Sequence, residues 1–242
     1  MNKILTIVGI VVILIVVGFF AYQTISTLTE TPPEEIATPI GKLETSTEEE
    51  IPTEGGVPQI TVEKALAEKN IVMVIAFRDF RDEEYFIPKE IFLAAGAKVK
   101  TASNQKGTAI GADGGEVPVD LVVSEVDPAN FDAVVFIGGP GCLKNLDNGV
   151  SYNLIKETIS QGKILGSICI SPVILAKAGV LEGKKATVWT SPLDKSAVKI
   201  LEENGATYQD SSVVVDGKVI TASGPTAAEA FGMKVVEVLT NL

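Results

Sequence analysis

Two cysteines, a pair of adjacent glycines and a cluster of carboxylates are the groups in this chain that can do chemistry. Cys169 stands in the stretch GKILGSICISPVILAKAG, residues 162–179. The apolar run Ile164 to Ile168 leads into it, Ser171-Pro172 follow, and an apolar helical pattern closes at Gly179. That order reads as a buried strand, a sharp turn and a helix. Pro172 suits the first turn of the helix, where a missing N–H costs nothing, and Gly179 suits its end. Cys169 is thereby expected at a strand-to-helix corner, at the positive end of the helix dipole. Such a place lowers a thiol pKa from about 8.5 into the range of roughly 3.5–7.5 and yields a nucleophilic thiolate. The logic matches the nucleophile elbow of hydrolases, without its G-x-S-x-G signature. The competing expectation is a small cysteine packed inertly under a helix.

A second strand end carries Gly138-Gly139-Pro140-Gly141-Cys142. If its strand neighbours the one before Cys169, both tips face one crevice. The N–H groups of Gly139 and Ile170 can then stabilise the oxyanion formed when Cys169 attacks a carbonyl. A tight strand-end turn is the plainer reading of the glycines. Neither a dinucleotide fingerprint nor a P-loop is present. A third tip carries Arg78, Asp79, Arg81, Asp82, Glu83 and Glu84. A carboxyl beside the thiol would share a proton with it and act as an acid/base group. Spacing alone does not choose between Glu83 and Glu84. Cys142 is a candidate disulfide or resolving partner for Cys169, against the plainer reading of an unrelated buried thiol.

The chain has 242 residues and a net charge of −11, which excludes nucleic acid as an expected partner. It has no histidine. That removes the commonest general base and metal ligand, so no His-containing triad or zinc site is expected, and no metal or cofactor is assigned.

The elements that must position these groups alternate. Strands are expected at 71–77, 98–102, 131–137, 164–168 and 185–189. Helices are expected at 61–69, 87–95, 150–160, 172–178, 195–204 and 226–239. Pro88 is placed in the first turn of its helix. A small hairpin falls within 103–118, and another spans 213–222 around Asp216-Gly217. Strands apolar on both faces, alternating with helices, make a doubly wound α/β domain with a mostly parallel sheet, its site at the strand carboxyl ends. This domain is assigned to residues 59–242.

Ahead of it, residues 4–22 are apolar and uncharged, about the length that crosses a bilayer as a helix. Phe19-Phe20-Ala21-Tyr22 makes a poor signal cleavage site and a good interfacial belt, so residues 1–22 are read as a retained anchor. Lys3 before the span and acidic residues after it place the N-terminus in the cytoplasm and the globular domain outside. Residues 23–58 are rich in Thr, Pro and Glu and read as a disordered tether.

Four segments together resemble one family: FRDEEYFIPKEIFLAAGAKV, FDAVVFIGGPG, GKILGSICISPVILAKAGVLEGKKATVWTS and DGKVITASGPTAAEAFGMKVVEVL. Their order and spacing are similar to the ThiJ/PfpI family of the class I glutamine-amidotransferase-like superfamily. The resemblance implies a flavodoxin-like sandwich with a strained elbow cysteine. It also implies a glutamate paired with that cysteine. By its spacing from Ile87-Pro88 this is Glu84, which moves the helix start to near Glu83. The implied oxyanion donors are Gly139 and Ile170. Protease-like members carry histidine directly after the cysteine, and here Ile170 stands there. A homo-oligomer, the expected assembly, cannot supply it, because every copy lacks it. The implied activity is that of a cysteine-dependent hydrolase, glyoxalase or deglycase acting on small carbonyl or acyl substrates. The alternative is a non-enzymatic oxidative-stress sensor or chaperone. Basic groups that line the pocket in some relatives correspond to Ser191 and Ser223, which argues against anionic substrates. Trp189 is expected as a pocket wall or core aromatic.

Overall fold

The computed structural model describes residues 65–241. The predicted anchor at 1–22 and tether at 23–58 lie outside the described residues, as does the start of the predicted helix at 61–69. Its described part is a turn that buries Leu66.

A seven-stranded sheet forms the centre, in the order β11-β12-β8-β7-β1-β3-β6. Its strands are β1 (Asn70–Ile75), β3 (Lys98–Ser103), β6 (Leu121–Val122), β7 (Ala133–Phe136), β8 (Ile164–Ile168), β11 (Val213–Asp216) and β12 (Val219–Ala222). All neighbours run parallel except β11 against β12, which form the predicted hairpin. In β1, Ile71, Met73 and Ile75 face one apolar core, while Val72 and Val74 face the other. Such a strand is stable only with both faces covered, and helices cover both. Helices α1 (Asp82–Ala94) and α6 (Ala228–Thr240) pack together on one face. Helices α3 (Gly149–Ser160), α4 (Pro172–Lys177) and α5 (Ser196–Glu203) cover the other. A short α2 (Cys142–Leu146) follows β7. The chain leaves β1 on one side for β3 and later returns on its other side as β7, so the winding reverses there. Crevices at such reversals, beyond the strand carboxyl ends, are where doubly wound sheets hold ligands.

A three-stranded sheet is built from β2 (Arg78–Phe80), β4 (Gly107–Gly111) and β5 (Glu116–Val119), the last two being the hairpin expected within 103–118. A third sheet pairs β9 (Lys185–Ala186) with β10 (Thr207–Tyr208).

Two expectations need correction. The helix that local pattern starts at residue 87 begins at Asp82, within one residue of the start near Glu83 that the resemblance implies, and carries Pro88 inside it. The acidic first turn Asp82-Glu83-Glu84 suits a helix N-terminus. The Asp82 carboxylate also accepts from Asp113 N–H and Gly115 N–H at 2.8 and 2.7 Å, a tertiary anchor that no local pattern displays. The strand expected over 185–189 stops at Ala186. Beyond it Thr187 N–H donates to Thr221 Oγ1 and Trp189 N–H donates to Cys169 O, at 2.9 and 2.7 Å, so these groups leave the ladder.

Candidate active site

Three strand ends meet at one crevice. The segment after β1 brings Arg81 and Glu84, the segment after β7 brings Gly138 and Gly139, and the segment after β8 brings Cys169 and Ile170.

Cys169 has φ of +67°, in the left-handed region where a residue with a Cβ is strained. Hydrogen bonds on every side hold it there. Its N–H donates to Ala222 O at 2.8 Å and its carbonyl accepts from Trp189 N–H at 2.7 Å. Below it, buried Ser171 Oγ accepts from Ile168 N–H at 3.0 Å. The same hydroxyl has one proton to give and lies 2.9 Å from Phe136 O and 2.7 Å from Ile168 O. It thus ties the end of β7 to the corner after β8. Pro172 is in the first turn of α4, and Gly179, with φ of +82°, follows the helix end, as the sequence predicts.

Glu84 is fully buried in the first turn of α1. Its Oε2 accepts from Gly138 N–H at 3.1 Å. Among the described residues Oε1 has no hydrogen-bond partner. The Cys169 thiol is the neighbour whose electrostatics are tied to this carboxyl, each group shifting the other. Glycine at 138 is a steric requirement of the pair. A Cβ there would lie 2.6 Å from Cys169 Cβ and 2.8 Å from Glu84 Oε2. Gly139 has φ of +111°, and a Cβ on it would lie 2.3 Å from Arg81 N. The N–H groups of Gly139 and Ile170 both donate toward the sulfur. Glu83, which spacing left open beside Glu84, does not pair with the thiol; it acts on Glu84 as a neighbouring charge.

Burial dominates the electrostatics. It pushes the Glu84 carboxyl up to about 7, against the Cys169 thiol, the Gly138 N–H and the Arg81 guanidinium, which all favour the charged form. Burial, and then the Glu84 carboxylate, push the Cys169 thiol up as well, against the two N–H donors. This corrects the expectation of a thiol lowered by its helix. Helix α4 has six residues, and its dipole is outweighed by lost solvation and an adjacent negative charge. Above about pH 7 the two groups hold one proton between them, and their titration belongs to the pair.

A cavity of about 330 Å³ opens over the sulfur, walled by Arg81, Pro140, Leu143, Ile170, Trp189 and Pro225 beside Cys169 and Gly139. Trp189 is thus a wall residue. Ser191 and Ser223, expected in this wall, are elsewhere. Ser191 closes a turn with Asp194, and Ser223 N–H donates to Ser212 O. The sequence reading missed Arg81 as part of the site. Its signal was present: it precedes Glu84 by three residues, about one helical turn.

Cys142 is free and fully buried, on the opposite face of the sheet from Cys169, which is also free. Burial raises its thiol well above the ordinary range, and charge on Cys169 and Glu84 adds to the effect. Among the described residues no cluster of Cys, Asp and Glu is arranged to hold a metal ion, and no helix is long and apolar enough to cross a membrane.

The sequence pattern of the DJ-1/PfpI family matches residues 69–238. An uncharacterized protein of Methanocaldococcus jannaschii is 42% identical over 170 residues, which span 70% of this chain and 82% of that protein. A deglycase of Thermococcus kodakarensis is 34% identical over 69% of this chain and 98% of its own length. A glutathione-independent glyoxalase of Caenorhabditis elegans is 28% identical over 72% of this chain and 90% of its own. Among solved structures, a ThiJ/PfpI domain protein of Brachyspira murdochii superposes with a TM-score of 0.68 at 39% identity, covering 72% of this chain and 97% of that one. With a doubly wound sheet, an elbow cysteine and a buried glutamate already in place, these matches agree on one conclusion: the chain belongs to the DJ-1/PfpI family.

Proposed function

We propose that this chain is a cysteine-dependent enzyme of the glyoxalase or deglycase type, acting on small carbonyl compounds. One observation carries the reading. A fully buried carboxyl poised at about 7 faces a strained thiol at the floor of an open cavity. An acid/base group works best with its pKa near the working pH, and burial has brought Glu84 there.

The chemistry follows from the pair. Glu84 takes the thiol proton as the sulfur attacks, so charge stays within the pair and the thiolate exists only at the moment of use. The S–C bond forms, the carbonyl π pair moves to oxygen, and the N–H groups of Gly139 and Ile170 are beside the forming oxyanion. With a 2-oxoaldehyde, Glu84 then moves the former aldehyde proton to the neighbouring carbon. One carbon is oxidised as the other is reduced, and water releases a 2-hydroxy acid. A Cys-His protease mechanism is closed to this chain, which has no histidine.

Turnover of methylglyoxal to lactate, and release of methylglyoxal from a glycated amino acid, test the reading. Activity in the full chain and its loss in Cys169→Ala are expected. Equal turnover by Cys169→Ala would overturn it. The proposal keeps residues 4–22 as a single-pass anchor, on their uninterrupted apolar sequence. Release of the full chain from membranes by alkaline carbonate would contradict that part alone.

A further inference from the structure

Arg81 is the charged wall residue of the cavity, and the steps above give it no task. It occupies the N-cap position of α1. Its backbone N–H donates to Gly138 O at 3.1 Å, so it is tied to the glycine corner beside the thiol. Its Nη1 donates to Asp113 Oδ2 at 3.1 Å. Asp113 is in turn held at the β4–β5 turn, whose N–H groups clasp the Asp82 carboxylate. The arginine is therefore braced from two sides while its side chain stays 31% exposed. A guanidinium has five N–H donors in a planar fork. Among the described residues, Asp113 is the hydrogen-bond partner this one has, so donors remain for a ligand. The other walls, Pro140, Leu143, Ile170, Trp189 and Pro225, offer apolar contact.

We infer that the cavity takes a carbonyl compound that also carries a carboxylate, with the carbonyl carbon at Cys169 Sγ and the carboxylate on Arg81. This rests on the reading above for the carbonyl and adds the charge of the substrate. A chain of net charge −11 repels anions at long range. A braced arginine in an apolar wall supplies the local exception, and its fork matches a carboxylate in shape as well as sign. The addition step balances without oxidant or reductant: the S–C bond forms, the C=O π bond opens, and the thiol proton passes through Glu84 to the new hydroxyl. This inference runs against the expectation from Ser191 and Ser223 that anions are disfavoured.

Two alkylating agents of similar size test this on the full chain. Iodoacetate carries the carboxylate and iodoacetamide does not; each forms an S–C bond and releases iodide. Rates at Cys169 are read by peptide mass. The iodoacetate-to-iodoacetamide ratio should fall about fivefold in Arg81→Gln, the size of one partly exposed ion pair, and recover in part in Arg81→Lys. A fast iodoacetamide reaction with one ratio in both proteins would overturn the role of Arg81 and leave the reactive thiol standing. A Cys169 that iodoacetamide never reaches would overturn the reactive thiol instead. The carboxylate assignment is then decided by titrating pyruvate against Cys169→Ser with and without Arg81→Gln, following its methyl line width. Binding weakened about fivefold by Arg81→Gln supports the inference, and equal binding overturns it.

Discussion

Cys142 and Cys169 occupy the same kind of place. Each follows a buried parallel strand and stands at the start of a short helix, α2 after β7 and α4 after β8. Helix position alone would give them the same thiol. Their surroundings do not. Cys142 is sealed, with no exposed surface, within an apolar core. Cys169 keeps 8% of its surface, opens on a cavity, faces a buried carboxyl, and has two backbone N–H groups aimed at its sulfur. A strand-to-helix corner is therefore insufficient for reactivity. The difference is a proton acceptor within the same desolvated pocket, because a thiol that burial keeps protonated needs somewhere to send its proton.

The largest expected effect separates the two cysteines by activity. Cys169→Ala should cost three orders of magnitude or more in turnover, as loss of a covalent nucleophile does. Cys142→Ala should leave turnover within about twofold, measured in the same assay. Comparable losses in both would break the comparison. Glu84→Gln should lower turnover by about 10²- to 10⁴-fold, the range of a general acid/base, with the fold intact by circular dichroism.

The next effect is on stability and has a definite sign. Glu84 titrates at about 7 in the fold, against an ordinary 4.5. The folded state thus binds this proton more tightly, and between those pH values the unfolded state holds fewer protons. Stability falls as pH rises from about 4.5 to 7, by at most about 3 kcal/mol from this group. Glu84→Gln should melt several degrees above the wild type at pH 8 and level with it near pH 4.5, by calorimetry. A variant less stable at pH 8 would contradict the burial cost assigned to Glu84.

Smaller effects sharpen the corner itself. Ser171→Ala leaves Ile168 N–H without its acceptor and should cost about 1–3 kcal/mol in chemical denaturation. Cys142→Ala should cost about 1–2 kcal/mol, the price of a small void in a sealed core.

Much of this was legible in the sequence. Ile164 to Ile168 is apolar on both faces, which fixes a covered parallel strand, and Pro172 and Gly179 bracket the helix after it. The hairpin around Asp216-Gly217 was legible for the same reason, local turn chemistry. The start of α1 was legible only through the resemblance, because Asp82 is anchored by N–H groups thirty residues further on, and local pattern holds no trace of that. The choice of Glu84 over Glu83 came from family resemblance, since both are carboxylates on one helical turn. The direction of the thiol shift was missed because burial depends on what covers a residue, and a helix N-terminus in sequence says nothing of an adjacent buried charge.

The central claim is that Cys169 and Glu84 share one proton. Its most direct test is the pH dependence of Cys169 alkylation by iodoacetamide in the wild type and in Glu84→Gln. Below about pH 7 the pair holds two protons; loss of one leaves the single shared proton and opens the thiolate–carboxylic acid arrangement, so the wild-type rate should rise through about pH 7 and level off. Glu84→Gln should lack that step and stay slow until well into the alkaline range. An inflection near 7 that survives in Glu84→Gln would show that the carboxyl takes no part in activating the sulfur.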